Sequence, residues 1–326
     1  MKHWKPVLGV FLIIFIISGI AYGFSIYRKY HDTLEEISTS DIKVRPQEQE
    51  DTFTKKEEKE EKEEKEEVKN EEQKPFVFLL FGISERIVLN DIGRADTIIL
   101  SLVDPEPGKV QLISIPRDAY VNVPGYGKDK INSAYPRGGA ELLRLTVEEW
   151  LDIDIRAYAS INFQGFIDLV DLVGGIEVYV SRNMNYDAPD DGTHINLKKG
   201  QQVLDGKNAL DFVRFRKSND GRHDSDYDRM KRQQQALAAL SDKLASFRFI
   251  NRAYQAMDIL GANVRTSLTA DETHQLIRQL YALDLQDIES TSLQGGGLYT
   301  GGVWYEKIPA DELERIEVII KDFLDG

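Results

Sequence analysis

The sequence has no cysteine in 326 residues and only five histidines, which form no cluster. That excludes disulfides, thiolate metal sites and thiol nucleophiles, and leaves nothing resembling a hydrolase triad or a zinc site. Positive charge is also short, with 41 Lys+Arg against 55 Asp+Glu and a net charge of −14. No basic face or aromatic-interleaved basic run occurs, so the electrostatic footprint of a nucleic-acid binder is missing. The acidic excess is uneven. Residues 31–75 hold 17 acidic and 9 basic side chains, which contributes −8, and the remaining −6 is diluted over the rest of the chain.

What is present starts with an apolar run. Val7–Ile26 is uncharged for 20 residues, and a helix of that length spans about 30 Å, the thickness of a bilayer's hydrocarbon core. A cleaved signal peptide is the competing interpretation, but the run is long and no small-x-small site follows it. Lys2 and Lys5 precede it and Arg28 and Lys29 follow it, so flanking charge does little to orient it. With almost the whole chain beyond the run, and no cysteine, the body is placed outside the cell. Lys55–Glu67 is nearly pure Lys-Glu-Glu repeat without an apolar stripe, so it reads as a solvated spacer. The expected organisation is a short cytoplasmic tail (1–6), a single transmembrane anchor (7–27), an acidic Lys/Glu-rich stalk (28–75) and an extracytoplasmic globular domain (76–326). The expected location is the cell membrane, with the N-terminus inside.

Within the globular part, Phe76–Phe81, Thr97–Val103 and Val110–Ile115 are short, nearly continuous apolar runs, the pattern of strands buried on both faces. Asp104–Gly108 (DPEPG) carries two prolines and a glycine and predicts a hairpin between the second and third. Helices are predicted at Ala140–Leu151, at Phe163–Val173 (stopped by Gly174-Gly175), from Lys207 to Val213, and from about Arg229 to Phe249. Ala157–Asn162 and Ile176–Val180 read as strands, Met184–Gly192 as a polar loop, 251–284 as two further helices and Asp311–Leu324 as a closing amphipathic helix. The alternation implies an α/β fold: a mixed central sheet flanked by helices.

Arg86, Arg94, Asp96 and Arg117 fall at or just beyond the predicted strand ends, where open sheets collect ligands. Arg214 and Arg216 are two apart, so in an extended segment they point the same way. Arg229 and Gln233 are four apart, on one face of a helix. Several arginines with one or two carboxylates suit a polyphosphate, with guanidinium forks on phosphate oxygens and carboxylates on Mg²⁺. An Arg/Asp ion-pair network on the surface accounts for the same residues equally well.

Ordered motifs run along the chain: GRADT (Gly93–Thr97), SIPRDAYV (Ser114–Val121), DKINSAYPRGG (Asp129–Gly139), FQGFIDLVDLVGGIEV (Phe163–Val178), GQQVLDGKNALDFVRFR (Gly200–Arg216) and DYDRMKRQQ (Asp226–Gln234). On these the chain resembles the LytR-CpsA-Psr family over Phe76–Phe323. The resemblance implies a sandwich-like α/β domain whose apolar pocket, with walls expected near Leu142–Leu151 and Phe163–Val173, holds a lipid chain. It implies a transferase that takes a glycopolymer such as wall teichoic acid from a polyprenyl-pyrophosphate carrier and attaches it to peptidoglycan, with Mg²⁺, or alternatively Mn²⁺, as cofactor and no nucleic-acid partner. By position, Asp96 matches a metal-associated aspartate and Arg117 the arginine of the IPRD motif, the two catalytic candidates. Arg214, Arg216, Arg229 and Gln233 match pyrophosphate-site residues, and Arg86 and Arg94 are supporting cations. The chain departs from the pattern at one position: Gly82-Ile83 is followed by Ser84, where family members usually carry a second aspartate. A non-catalytic binder of polyprenyl-linked intermediates and a cell-envelope transcriptional attenuator are the alternatives.

Overall fold

Three apolar runs become the centre of the molecule: β1 (Phe76–Ile83), β2 (Ala95–Asp104) and β3 (Lys109–Ile115). The computed structural model describes residues 26–38, 74–84, 93–104, 109–188, 193–246, 253–282 and 288–325. The apolar N-terminal run up to residue 25, the Lys-Glu-Glu repeat and Arg86 lie outside the described residues. Among those described, no helix is long and apolar enough to cross a membrane.

Further along the chain lie β4 (Tyr120–Val123), β5 (Gly127–Lys130), α1 (Ala134–Leu151), β6 (Ala157–Asn162), α2 (Phe163–Leu172), β7 (Ile176–Val180), β8 (Met184–Ala188), β9 (Thr193–Leu197) and β10 (Gly200–Leu204). They are followed by α3 (Gly206–Arg214), α4 (Asp226–Ser246), α5 (Ala253–Asn263), β11 (Val264–Thr266), α6 (Ala270–Ala282), β12 (Ile288–Ser292), β13 (Gly296–Thr300), β14 (Val303–Lys307) and α7 (Ala310–Asp325). The central sheet has the order β11-β6-β1-β2-β3-β12. Its middle, β1-β2-β3, is an antiparallel meander, and β6 and β12 join its two sides in parallel. The sheet is therefore mixed, as the alternation implied.

The two faces of the sheet are covered unequally. Leu79, Leu100 and Ile113 are fully buried on one face, in a core completed by Leu143 and Val147 of α1 and Ile316 and Ile320 of α7. On the other face Ile99 and Leu112 keep 6% and 9% of their surface, and Leu80 and Leu237 are only half-buried. A second core lies among α2, α3, α4 and the hairpins β7/β10 and β8/β9, centred on Phe212 and Phe215.

Three expectations are corrected here. Of the loop expected at Met184–Gly192, Met184–Ala188 is a strand and 189–192 lie outside the described residues: β8 pairs antiparallel with β9, because Met184, Ile195 and Leu197 point into the second core and alternate with exposed polar neighbours. Between the two helices predicted over 251–284, Val264–Thr266 forms a short edge strand on β6. The third concerns the stalk assigned to 28–75. Its first part is folded: residues 26–37 are helical and bury Thr33, Leu34 and Ile37. Lys29 Nζ meets Asp258 of α5 at 2.6 Å, and the Tyr30 hydroxyl meets His274 Nδ1 of α6 at 2.8 Å.

Candidate active site

Asp96 owes its aim to a backbone irregularity. Gly82 pairs with Thr97 but Ile83 pairs with Ala95, so Asp96 is the extra residue of a β-bulge at the start of β2. Bulges turn a side chain out of the pleat and are frequent beside active sites. Ala95 is fully buried, whereas Asp96 next to it reaches a cavity of about 560 Å³. Ser84 closes the other side of the bulge, its backbone N–H donating to the Arg94 carbonyl at 2.9 Å and its hydroxyl to the same oxygen at 3.2 Å.

Arg117 comes from the turn after β3. That turn is pinned by the Ala119 N–H on the Pro116 carbonyl (3.0 Å) and the Asn132 N–H on the Arg117 carbonyl (3.2 Å). The guanidinium donates through Nη1 to the Asp96 carboxylate, and its Nε lies 3.7 Å from Asp118. Asp118 also accepts from Lys130 Nζ at 2.7 Å. From the opposite wall Arg216 approaches Asp118 at 4.0 Å and Asp226 at 3.9 Å. Asp226 accepts from Arg229 Nη2 at 2.9 Å.

The wall that carries Arg216 is built by a buried arginine. α3 begins at Asp205, whose carboxylate caps Asn208 N–H at 2.9 Å. Its first residue must be glycine, since a Cβ on Gly206 would sit 2.2 Å from the Ile167 carbonyl of α2. At its other end Arg232 donates to the Phe212 carbonyl (2.9 Å) and to the Phe215 carbonyl, and pairs with Asp224 at 2.7 Å. Arg232 thereby satisfies the open carbonyls of the α3 C-terminus, with its charge where the helix dipole favours it. Ser225 and Asp228 cap α4 reciprocally, each side chain accepting from the other's backbone N–H. Gln234 fastens that helix to β3 through Ser114 Oγ at 3.0 Å.

Asp96, Arg94, Arg117 and Arg216 thus line one cavity, with Arg229 buried behind it. Gln233 is half-buried one turn beyond Arg229 and is not part of the lining. Arg214 does not join Arg216 in lining this cavity. It is the last residue of α3 rather than part of an extended segment, it stacks over Phe163 at 4.9 Å, and it lines a separate cavity of about 370 Å³ that shares only Arg216 with the first. Residues that composition did not single out complete the site. Asp118 and Asp226 sit inside the quoted motifs, but their role depends on a fold that brings them within reach of Arg216. Lys130 also sits inside a quoted motif, whereas Trp304 to Glu306 from β14 come from a segment with no sequence signal for it.

The electrostatics are those of a filled network with spare donors. Burial by itself would raise the Asp96 pKa, but the charge of Arg117, the adjacent Ser84 hydroxyl and the Arg229 charge outweigh it and hold this carboxyl below the usual range. Arg117 moves the opposite way: burial works against its charge, and Asp96 and Asp118 more than compensate. Arg229 is pushed down to about 10, by burial first and repulsion from Arg117 second. The Nε atoms of Arg117 and Arg229 and Oδ1 of Asp226 are buried without a hydrogen-bond partner. Such orphaned charged groups are costly unless a ligand meets them.

The donor set is compatible with Mg²⁺. All the acidic and hydroxyl donors here are oxygens, and Asp226 Oδ1 accepts no hydrogen bond. Among the described residues no three His, Asp or Glu side chains converge on one point. The fit is thus to an ion that keeps phosphate and water ligands, not to an all-protein cage.

Comparison with known proteins decides the family. The LytR_cpsA_psr family model matches residues 43–322. The chain belongs to that family. Among curated relatives, the polyisoprenyl-teichoic acid–peptidoglycan teichoic acid transferase TagU of Oceanobacillus iheyensis is 39% identical over 252 residues, covering 76% of this chain and 75% of the relative. Among solved structures, Bacillus subtilis TagV superimposes with a TM-score of 0.64 at 32% identity, over 78% of this chain and 98% of that one. A LytR-CPS2A-psr family protein, YwtF (TagT), with bound octaprenyl pyrophosphate lipid superimposes with a TM-score of 0.58 at 28% identity, over 78% and 92% of the two chains. The mixed sheet with flanking helices is the architecture of this family.

Proposed function

We propose that this family member transfers an anionic glycopolymer, wall teichoic acid or a close analogue, from a polyprenyl-pyrophosphate carrier to peptidoglycan. One observation carries the assignment to this cavity: the Nε–H groups of Arg117, which lines it, and of Arg229, buried behind it, make no hydrogen bond. Guanidinium forks match phosphate oxygens, and a pyrophosphate would complete their hydrogen bonds. The relative named as a transferase and the neighbour holding a polyprenyl pyrophosphate agree with that chemistry.

A hydroxyl of the peptidoglycan glycan attacks the phosphorus that bears the polymer. The new P–O bond forms as the bond to polyprenyl phosphate breaks; polyprenyl phosphate leaves with the electron pair, and the hydroxyl proton passes through solvent to that leaving phosphate. Arg117, Arg216 and Arg229 oppose the charge that accumulates on the phosphoryl oxygens, and this electrostatic contribution is commonly the largest single one. Asp96, assisted by Ser84, is the residue to hold Mg²⁺, which supplies charge neutralisation at the pyrophosphate. A carboxyl held below its usual pKa is a good cation ligand and a weak general base, so Asp96 is assigned to the metal and not to the proton. The polyprenyl chain would lie against the sheet face where Leu80 and Leu237 are half-buried, since that face is the less completely covered. The apolar run at 7–27 would anchor the protein, with the body outside the cell.

The test is transfer from a synthetic polyprenyl-pyrophosphate glycan to peptidoglycan fragments, with Mg²⁺ and with chelator. Product that vanishes with chelator and in Arg117→Ala supports the transferase. Ser84 favours a second reading, a binder that has lost its metal. Tight binding of the lipid without product would establish that reading.

A further inference from the structure

Opposite the arginines, the cavity is bordered by a two-stranded ribbon with an unusual surface. Tyr299 and Trp304 are direct cross-strand partners in β13 and β14, with ring centroids 5.0 Å apart and planes at 47°. They remain 58% and 64% exposed. The register places Gly297 and Glu306 on the same side of the ribbon as these rings, and Gly297, Trp304 and Glu306 all line the cavity that contains Asp96 and Arg117. At Gly297 a methyl would sit 3.4 Å from Cζ3 of Trp304, so the glycine leaves the indole free of a side chain on its cross-strand diagonal.

Tyr305 on the opposite side, together with the backbone and carboxylate of Glu306, holds the ribbon in place. Tyr305 packs on Tyr120 at 4.7 Å, with Lys130 Nζ 5.9 Å above its ring. The Glu306 N–H donates to the Asp118 carbonyl at 2.8 Å, and the Tyr227 hydroxyl donates to Glu306 Oε1 at 2.6 Å. The tight turn Gly301-Gly302, with both φ values positive, closes the ribbon without bulk. The aromatic pair is therefore held rigidly beside the loop carrying Arg117 and Asp118, yet it contributes nothing to a core.

Exposed aromatic surface continuous with a polar cavity marks a ligand groove. The occupant here is not a lipid chain. Laying a polyprenyl chain over Trp304 would carry it past Asp118, Lys130 and Glu306 and desolvate their charges without return. A pyranose ring has the right chemistry: C–H groups on its faces for the indole, and hydroxyls around its edge for the Glu306 carboxylate. We propose that the β13–β14 ribbon is a saccharide subsite, in which Trp304, backed by Tyr299, stacks on a sugar ring of the glycan adjoining the reacting phosphate. This deepens the transferase assignment and rests on it. The sugar belongs either to the incoming peptidoglycan strand or to the donor's polymer.

The experiment compares the full-length chain with Trp304→Ala, Trp304→Phe and Tyr299→Ala in two assays. The first is a titration with soluble peptidoglycan glycan-strand fragments and, separately, with the soluble glycan of the donor. The second is transfer kinetics with donor and acceptor varied independently. Trp304→Ala is expected to weaken one glycan, and to raise the KM for that substrate, by about tenfold, while Trp304→Phe recovers most of the loss. A shift on the acceptor axis assigns the ring to peptidoglycan, and one on the donor axis to the polymer. A protein that yields no transfer product but still binds fragments through Trp304 would refute the transferase and keep the subsite. Unchanged binding and unchanged KM values in Trp304→Ala would overturn the subsite, as would a wild-type chain that binds neither glycan.

Discussion

Replacing Arg229 with methionine should make the ligand-free protein more stable and its site useless. The Arg229 side chain keeps 4% of its surface and has one carboxylate, Asp226, at 2.9 Å. Burial and the neighbouring Arg117 depress its pKa to about 10 even with Asp226 counted. The sign follows from linkage. A cation whose folded pKa is lowered costs stability at every pH below that value, and the cost is relieved only as pH rises through about 10. Relative to its ordinary value that amounts to roughly 3 kcal/mol at neutral pH, at about 1.4 kcal/mol for each tenfold change in proton affinity. Local relaxation, water and the partner that Asp226 loses offset most of it, so a net gain of about 1 kcal/mol is expected on substituting an unbranched apolar side chain of similar length. For a domain of this size each kcal/mol moves Tm by about 2–4 °C. The assay is thermal unfolding at pH 7.5 with and without inorganic pyrophosphate and Mg²⁺. Wild type should melt lower and be raised by pyrophosphate, whereas Arg229→Met should melt higher and show no such rise. A variant that melts lower than wild type and still responds to pyrophosphate would refute the reasoning and make Arg229 an ordinary structural ion-pair partner.

Other perturbations test other parts of the structure. Leu34→Ala removes a buried side chain of the helix at residues 26–37 and should cost about 2–3 kcal/mol in chemical denaturation; no loss would mean that this helix does not dock on α5 and α6 in solution. Ser84→Asp places a second carboxylate beside Asp96 and should lower the Mg²⁺ concentration for half-maximal transfer by about tenfold, read from a metal titration of the transfer assay. The depressed pKa of Asp96 implies stability that is present above its unfolded value and lost as pH falls through the folded one. The Tm difference between wild type and Asp96→Asn should accordingly be flat from about pH 5.5 to 8 and shrink only in acid, below the ordinary carboxylate range, and Asp96→Asn should weaken the Mg²⁺ dependence of transfer at every pH.

How much of this could be read in the sequence depended on the range of the determining interactions. β1 to β3 were legible because strands buried on both faces are continuously apolar. The hairpin β8/β9 was hidden because its core contacts come from Met184, Ile195 and Leu197, too few and too spaced to form an apolar run. Leu34 and Ile37, three apart among charged residues, gave the docked helix of residues 26–37 the look of a stalk. At the site, Arg117, Arg216 and Arg229 were found from residue type and motif, but their geometry was not. A one-residue register slip that aims Asp96 leaves no compositional trace. Arg214 and Arg216 were expected to share an extended segment, but α3 runs one residue past Val213, so Arg214 closes the helix and Arg216 lies beyond its end. Arg232 works through two backbone carbonyls brought to it by the fold, which no local pattern reveals.

The two accounts the sequence left open, a phosphate site and an ion-pair network, are not alternatives in this structure. Arg94, Arg117, Lys130 and Arg216 line the cavity together with Asp96, Asp118, Asp226 and Glu306, so before a ligand enters the charges are nearly balanced. Balance is what allows so many guanidinium groups to be held close together at all, because each unpaired buried cation would cost several kcal/mol. The carboxylates also aim the forks, as Asp96 does for Arg117 and Asp226 for Arg229. The network at the cavity is also incomplete: two Nε–H donors and one carboxylate oxygen, all buried, make no hydrogen bond. A pyrophosphate oxygen can take the donors and a hard cation the acceptor without dismantling the pairs that orient them. Affinity then derives from groups already desolvated and already in place, so little of the binding energy is lost to reorganisation.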